Sequence, residues 1–398
     1  PNPSITALSA SQIAALTSAQ LVGLSSTDLQ SLTTSQIGAL QASQLNQLSA
    51  GQLSVLLTTQ VQALKALQIS SLSTSNLNAL TETQFQSLTT TQIASLKAEQ
   101  AANLETTDLA VLSSTQFQSI APSNIAVLRT QAIIALKTNQ VAALTANQLA
   151  SISSTQIPSI GTESIQALTT TQIVTLQKSQ LNAMTSLQVK NLLTTQLRAL
   201  TAFQIASIST LNLNSLTSAQ FQALTTTQIK NLSTLQIANL ETTDLAALNS
   251  SQLQAISPIS FGALRSQELL ALTTQQISYI SNEQISALST SNLTTLTSNQ
   301  LGALTTSQIK SLTATQLSTL NSSSVASFNS LQIQAISPDG IAALSSQVIV
   351  SLTSEQIPYL SNKQIAALKT TQLTVMELTD LKALTTEQIG SLTTPQLN

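Results

Sequence analysis

The chain has 398 residues and a net charge of −2 at pH 7, and only 7% of its residues are charged. It therefore offers no basic face for nucleic acid, and its 2% of aromatic residues provides few rings on which bases could stack. Hydrophobic residues make up 42%, which excludes a disordered low-complexity tract, and no apolar run approaches the ~18 residues needed to cross a membrane.

One eight-residue phrase, Thr-Thr-x-Gln-Ile-x-Ala-Leu, repeats in unbroken phase from one end of the chain to the other. We number the places of this octad from one to eight, so that Thr89–Leu96 is a single octad. The fifth place is apolar in every octad from Ile5 onward, and the eighth is Leu, Ile, Met or Phe in every octad from Leu8 onward. A repeat this strict predicts a single continuous array over residues 1–398, with no internal domain boundary.

The spacing within the octad argues against long regular elements. In one continuous helix the apolar pair would drift by ~80° per octad, and in a strand places five and eight would lie on opposite faces. Ser or Thr at place one with Gln at place four forms a capping box, and residues three apart share a helical face. The predicted fold is therefore all-α: a solenoid of about 50 very short capped helices joined by tight turns. A β-solenoid is the alternative, because Thr and Ile favour strands.

Two sets of places carry the structural predictions. Places five and eight should form the core, because one octad alone buries too little apolar surface to offset the entropy of ordering eight residues. We take as representatives of this core Ile93, Leu96, Ile173, Leu176, Ile229 and Leu232.

Gln occupies place four in 34 of the 50 octads. Two interpretations remain open: the Gln completes a capping box, or the amide side chains stack into a ladder between turns. Either role would lock the turns together. The representatives of this predicted capping or ladder set are Gln20, Gln36, Gln92, Gln172, Gln228 and Gln308.

Longer duplications are superimposed on the octads. The stretch Leu104–Leu109 recurs as Leu240–Leu245, a shift of a whole number of octads. Three prolines also recur, each followed by an octad in which Gln stands one place early. One interpretation is the duplication history of the gene. The other makes these prolines a periodic kink or docking point, since Pro fixes φ and lacks a donor; the candidates are Pro122, Pro258 and Pro338.

The residues needed for most chemistry are missing from this sequence. The chain has no His and no Cys, so a Ser-His-Asp triad and the usual zinc ligands are impossible. Acidic residues are scattered singly, and the 8 Gly form no phosphate-binding loop. We therefore predict that the protein is not an enzyme and has no cofactor, no metal, no catalytic residue and no nucleic-acid partner.

The repeated phrase, as it stands at Leu168–Leu176 and Leu224–Leu232, resembles the repeats of very large proteobacterial surface proteins of the adhesin-like or haemagglutinin-like kind. The resemblance covers the whole chain and rests on this one phrase. It implies an extracellular or cell-surface location and a surface or matrix function. It transfers no active-site residue.

The predicted function is structural: an extracellular filament, stalk or sheath that forms by head-to-tail self-association of the array. The first and last octads follow the phrase without atypical capping units, so we expect a second copy to cover them. We interpret the absence of an initiator Met as a sign of processing or of a longer parent chain. The alternatives are a spacer in a much larger surface adhesin, and a Thr-rich array that binds ice, glycan or a cell surface.

Overall fold

The computed structural model describes residues 5–397, which fold into short helices, with no β-strand among them. This confirms the prediction of an all-α solenoid, and the β-solenoid alternative is wrong for the described residues. The physical reason is that the Thr and Ser residues at place one are used as helix caps rather than as strand residues. From the octad of Ile13 onward, each octad contributes one helix.

Contacts along the chain group into two compact units, which divide in sequence between Leu200 and Thr201. The α-helices of the first unit, α1 to α23 in this order, are Ala10–Ala14, Ser18–Val22, Ser26–Ser31, Thr34–Ala39, Ala42–Leu45, Ala50–Ser54, Thr58–Ala63, Ala66–Ser70, Thr74–Leu77, Glu82–Ser87, Thr90–Ala94, Ala98–Ala102, Thr106–Val111, Ser114–Gln118, Pro122–Ala126, Thr130–Ile134, Thr138–Ala142, Ala146–Ser151, Thr162–Gln166, Thr170–Ile173, Lys178–Ala183, Ser186–Lys190 and Thr194–Ala199.

The α-helices of the second unit, α24 to α47, are Ala202–Ser207, Thr210–Leu213, Ser218–Ala223, Thr226–Lys230, Thr234–Ala238, Thr242–Ala247, Ser250–Ala255, Pro258–Gly262, Ser266–Leu270, Thr274–Tyr279, Asn282–Ala287, Thr290–Thr295, Ser298–Gly302, Thr306–Ser311, Ala314–Ser318, Ser322–Ala326, Ser330–Ala335, Pro338–Ala343, Ser346–Val350, Asn362–Ala367, Thr370–Leu373, Leu378–Ala383, Thr386–Gly390 and Thr394–Leu397. Each unit also has one 3₁₀ helix, at Ile157–Ser159 and Ile357–Tyr359. The prediction of one continuous array without a boundary remains a prediction.

The corner between successive helices is made by two extended residues. Helix α4 ends at Ala39, and Leu40 at place eight has φ −59° and ψ 139°. The residue at place one, such as Thr33 before the same helix, is also extended, with φ −68° and ψ 159°. No residue of the described part of the chain has a positive φ. The corners therefore need no left-handed residue, which explains how a chain with so few glycines turns in every octad.

Successive octads coil so that each helix packs on the third helix along the chain. Helix α4 contacts α7 and α10 contacts α13 in the first unit, and α28 contacts α31 and α31 contacts α34 in the second. Side-chain hydrogen bonds from place four reach back 28 residues, as from Gln92 to the carbonyl of Leu64. Within each unit, one turn of the solenoid therefore contains between three and four octads.

The apolar core follows places five and eight. Ile93, Ile173 and Ile229 at place five are almost completely inaccessible, and their place-eight companions, Leu96, Leu176 and Leu232, are also buried. Each of these octads therefore contributes two apolar side chains, from places five and eight, to the interior of the solenoid. Places two and three lie mostly at the surface.

We expect Leu176→Asp to open the first unit locally, because it places an unpaired charge among buried aliphatic side chains. The free energy of unfolding should fall by about 4 kcal/mol, the size of a severe core substitution. Urea unfolding followed by far-UV circular dichroism measures the loss. The matched control is Thr171→Asp in the same octad, where the side chain is exposed; an equal loss in both variants would contradict the core assignment.

Candidate functional site: the buried glutamine ladder

The place-four glutamine closes the N-terminus of its own helix. The Oε1 atom of Gln92 accepts a hydrogen bond of 2.8 Å from the backbone N–H of Thr89. In return, the Oγ1 atom of Thr89 accepts one of 3.2 Å from the backbone N–H of Gln92. This reciprocal pair is a capping box, and it satisfies two donors that a helix N-terminus leaves open.

The other end of the same side chain reaches the previous turn of the solenoid. The Nε2 atom of Gln92 donates to the carbonyl of Val61 at 2.8 Å and to that of Leu64 at 2.7 Å. Both carbonyls belong to the octad four before, at the C-terminal end of α7. The carbonyl of Val61 also accepts from the N–H of Leu64 at 3.2 Å, so the amide adds a second donor at this helix end and a donor for the carbonyl of Leu64 just beyond it. One side chain therefore caps two helices on successive turns.

The bonds repeat in both units with the same register. Gln172 donates to the carbonyl of Leu144 at 2.7 Å, and Gln308 donates to that of Ile280 at 2.6 Å. We call this row of place-four amides the glutamine ladder. It joins side chain to backbone, so the capping and ladder interpretations describe two ends of one residue rather than competing roles. The ladder interpretation had the amides stack on one another; these hydrogen bonds instead run from each amide to backbone carbonyls.

The six representative glutamines do not all have the same surroundings. Gln36, Gln92, Gln172, Gln228 and Gln308 are buried. Gln20 is exposed, and its Oε1 atom accepts from the N–H of Thr17 at 2.8 Å, as in any capping box. The first buried rung is Gln36, whose Nε2 atom donates to the carbonyl of Leu8 at 2.8 Å.

Several octads lack Gln at place four and replace it in different ways. Asn124 and Asn292 donate to the carbonyls 28 residues earlier, Leu96 and Leu264, each at 2.7 Å. Where place four is Ala132, the guanidinium of Arg129 donates to the carbonyl of Leu104 at 2.8 Å instead. That carbonyl is the one a glutamine at position 132 would have reached. In these three octads the inter-turn bond is kept although the residue that donates it changes.

An ion pair between a buried glutamate and an exposed arginine occupies the corresponding octad of the second unit. Glu268 at place four is buried, and its Oε1 atom lies 2.5 Å from Nη2 of Arg265. A glutamate has no donor for the carbonyl below, so the arginine instead neutralises the carboxylate. Arg265 stands at place one of its octad, as Arg129 does in the first unit.

The three candidate prolines each begin a helix. Pro122 is the first residue of α15, Pro258 of α31 and Pro338 of α41. At this position the missing N–H would have had no partner inside the helix, and the fixed φ is that of a helix. The octads keep their packing there, since α15 contacts α18 and α31 contacts α34.

A second set of amide bonds lies at place six and was not predicted from the sequence. The Nε2 atom of Gln30 donates to the carbonyl of Val55 at 3.0 Å, and that of Gln118 donates to the carbonyl of Ala143 at 2.7 Å. These bonds reach forward 25 residues, to the next turn. The sequence shows an amide at place six in some octads. Its partner could not be predicted from the sequence, because the partner depends on the number of octads in one turn of the solenoid.

Comparison with known proteins gives one family match. Residues 333–370 match the model of the ALTTAQ repeat. The run Ala-Leu-Thr-Thr-Ser-Gln at residues 303–308 differs from that phrase in one residue. The match supports a repeat-containing protein, and the octad phase of the ALTTAQ segment runs unbroken through the rest of the chain. No curated protein matches this chain.

The described residues contain no group of three or more acidic side chains placed to hold a metal ion. None of the helices within residues 5–397 is long and apolar enough to span a membrane.

We expect Gln284→Glu to separate the two ends of a ladder residue. Its Oε1 atom accepts from the N–H of Ser281 at 2.8 Å, which a glutamate preserves, whereas its Nε2 atom donates to the carbonyls of Leu253 and Ile256 at 2.8 and 2.7 Å. At pH 7 an ionised glutamate would face two carbonyls without a donor, and the free energy of unfolding should fall by about 3 kcal/mol. Urea unfolding at pH 7 and at pH 4 measures the effect.

Part of the loss should return at pH 4, where a protonated Glu at position 284 again has an O–H to donate. The matched control is Gln12→Glu, because Gln12 accepts the same cap bond from Ser9 at 2.8 Å but is exposed. Equal destabilisation at the two positions would mean that the cap, rather than the inter-turn bond, carries the energy.

Proposed function

We propose that this protein is structural: it builds an extracellular filament, stalk or sheath by head-to-tail self-association of its solenoid. The observation that carries the proposal is the glutamine ladder. The glutamine rungs join an amide on one turn to carbonyls on the turn before, so within each unit successive turns present the same kind of upper and lower face. A surface that complements a translated copy of itself favours open assembly rather than a closed oligomer.

The two kinds of face are visible in the described residues. At place five, Leu381, Ile389 and Leu397 are 39%, 51% and 67% exposed, although place five is buried in the octads further in. These side chains and their carbonyls form a face that a further turn would cover. At the opposite face, Gln12 and Gln20 are exposed, although place four is buried in most octads further in. Octads from a second copy would bring such amides onto such carbonyls.

The charge of the chain does not oppose this assembly. With a net charge of −2 over 398 residues, repulsion between copies is small. The place-one hydroxyl oxygens accept cap hydrogen bonds, as at Thr89 and Thr225, so this row of hydroxyls already has a structural role in its own helices. This favours a structural function over a Thr array that binds ice or glycan.

The location belongs to the same proposal. The likeness of the repeated phrase to those of large bacterial surface proteins supports a place outside the cell or on its surface. There the array serves as a filament or sheath, or as the stalk of a larger adhesin-like protein. A stalk uses the same stacking within one long chain, and it differs in not requiring contact between copies.

Negative-stain electron microscopy at rising protein concentration tests the assembly. We expect uniform fibres whose length grows with concentration. Ile389→Lys should raise the concentration needed for fibres on the order of tenfold, since it places a charge on an apolar face and costs about 1.4 kcal/mol per contact. Monodisperse single chains at every concentration would refute self-association.

The control for this experiment is Leu187→Lys. Leu187 is an exposed aliphatic residue at place three of α22, away from the faces that stack. The variant changes charge and surface hydrophobicity by the same amount as Ile389→Lys. If it blocked fibres equally well, the contacts would be lateral rather than head-to-tail.

A further inference from the structure

Among the acids at place four, Asp108 and Asp244 combine burial with an oxygen that has no hydrogen-bond partner. Asp108 on α13 and Asp244 on α29 stand at place four, and each is only 3% exposed. In each residue the Oδ2 atom is buried and has no hydrogen-bond partner. An ionised carboxylate has no donor at all, so neither residue in that form could replace the amide of a glutamine.

Each of these acids is matched by a buried asparagine oxygen 30 residues earlier. The Oδ1 atoms of Asn78 and Asn214 are buried and also have no partner. Their amide nitrogens do have partners. Nδ2 of Asn78 donates to the carbonyl of Asn103 at 2.8 Å, and Nδ2 of Asn214 donates to the carbonyl of Asn239 at 2.7 Å. Two unpaired buried acceptors in each pair are costly, and the cost falls if a hydrogen lies between them.

Another pair of octads shows that these places meet. Asn76 at place four and Asn46 at place six stand in the same 30-residue relation, and Nδ2 of Asn76 lies 3.5 Å from Oδ1 of Asn46. That Oδ1 atom also accepts from the backbone N–H of Ser73 at 2.8 Å. In this pair, the oxygen of a place-six asparagine therefore lies next to the place-four side chain that follows 30 residues later. For Asn78 and Asn214 the residue in the same 30-residue relation is an acid.

We propose that Asp108 and Asp244 are neutral acids in the folded protein, each donating its O–H to the Oδ1 atom of Asn78 or Asn214, and that these two pairs act as proton-operated joints in the solenoid. When the proton leaves, the donor is lost and a buried charge faces an amide oxygen. The helices on either side then lose an inter-turn bond together. The glutamine rungs of the ladder have no titratable proton and carry no such dependence on pH.

The charges around the two acids favour the neutral form. Burial, together with the nearby carboxylates of Glu105 and Glu82, raises the pKa of Asp108 to about 7. Glu82 lies on α10, which packs against α13. On its other side α13 packs against α16, and Arg129, just before α16, donates to the carbonyl of Leu104.

Burial likewise raises the pKa of Asp244 to about 6, with Glu241 adding to the shift. Helix α29 packs against α26, which has no charged residue, and against α32. The charges on that side are Arg265 and Glu268, which are paired with each other.

The direction of the pH dependence follows from these values. A pKa raised above the unfolded value of 3.8 means that the folded state holds a proton that the unfolded state has released. The stabilisation is therefore complete near pH 4 and is lost as pH rises, through about 6 at Asp244 and about 7 at Asp108. Above pH 8 both joints are open.

Amide hydrogen exchange measured at pH 5 and at pH 8 tests the joints. After correction for intrinsic exchange rates, we expect protection in α13 and α29 to fall at least tenfold at pH 8, since one unit of pKa shift is a factor of ten. The double variant D108N/D244N should remove this fall. An asparagine at place four already donates to the carbonyl 28 residues earlier in two other octads.

The control is Asp28→Asn. The Oδ2 atom of Asp28 accepts from the backbone and side chain of Ser25 at 3.1 and 2.7 Å in a capping box, so this variant should leave the pH dependence of α13 and α29 unchanged. Equal protection at pH 5 and pH 8 in the unmodified protein would overturn the proposal. So would a pH dependence that survives in D108N/D244N, or protection at pH 8 that calcium restores, since a cation would then fill the place we give to a proton.

Discussion

The fold depends on the place-four side chain, which holds two helices at once. Gln92 accepts from the cap of its own helix and donates to the open carbonyls of the helix one turn before. A helix of four to six residues is far below the length at which an isolated helix persists in water. Such a helix survives only if its ends are satisfied from outside, and the ladder does this without loops, metals or disulfides. The aliphatic core then supplies the apolar burial, while the ladder fixes the register.

The same dependence explains how the chain tolerates exceptions. Where the amide is missing at Ala132, Arg129 reaches the orphaned carbonyl from place one. Gly340, also at place four, leaves room that the side chain of Leu317 fills, since an added Cβ would collide with it. In these two octads a neighbouring residue compensates for the missing amide: Arg129 supplies the hydrogen-bond donor, and the side chain of Leu317 occupies the space beside Gly340. A regular backbone can accept these changes because every octad solves the same problem separately.

Much of this architecture could be predicted from the sequence, because it is local. The capping box is written within one octad, and so is the apolar pair at places five and eight. The number of octads per turn is not, since it depends on how Leu40 and its equivalents bend the chain at each corner. The inter-turn partners follow from that number, so the bond from Gln92 to Leu64 and the one from Gln30 to Val55 were out of reach. The sequence leaves the prolines open between duplication history and a kink or docking point; the structure adds that Pro122 is the first residue of its helix, where a proline is well accommodated, and the choice between the two stays a prediction.

The two acid–asparagine pairs show how a repeat array can acquire a new property by duplication. Asp108 with Asn78 and Asp244 with Asn214 have the same 30-residue spacing, and both acids follow the same Leu-Glu-Thr-Thr run. A duplicated block shorter than one solenoid turn would have copied the acid without its partner and left a buried carboxyl facing backbone carbonyls. A block that spans more than a turn copies both members in register. Inter-turn chemistry can therefore spread along such an array only in blocks longer than the distance between turns.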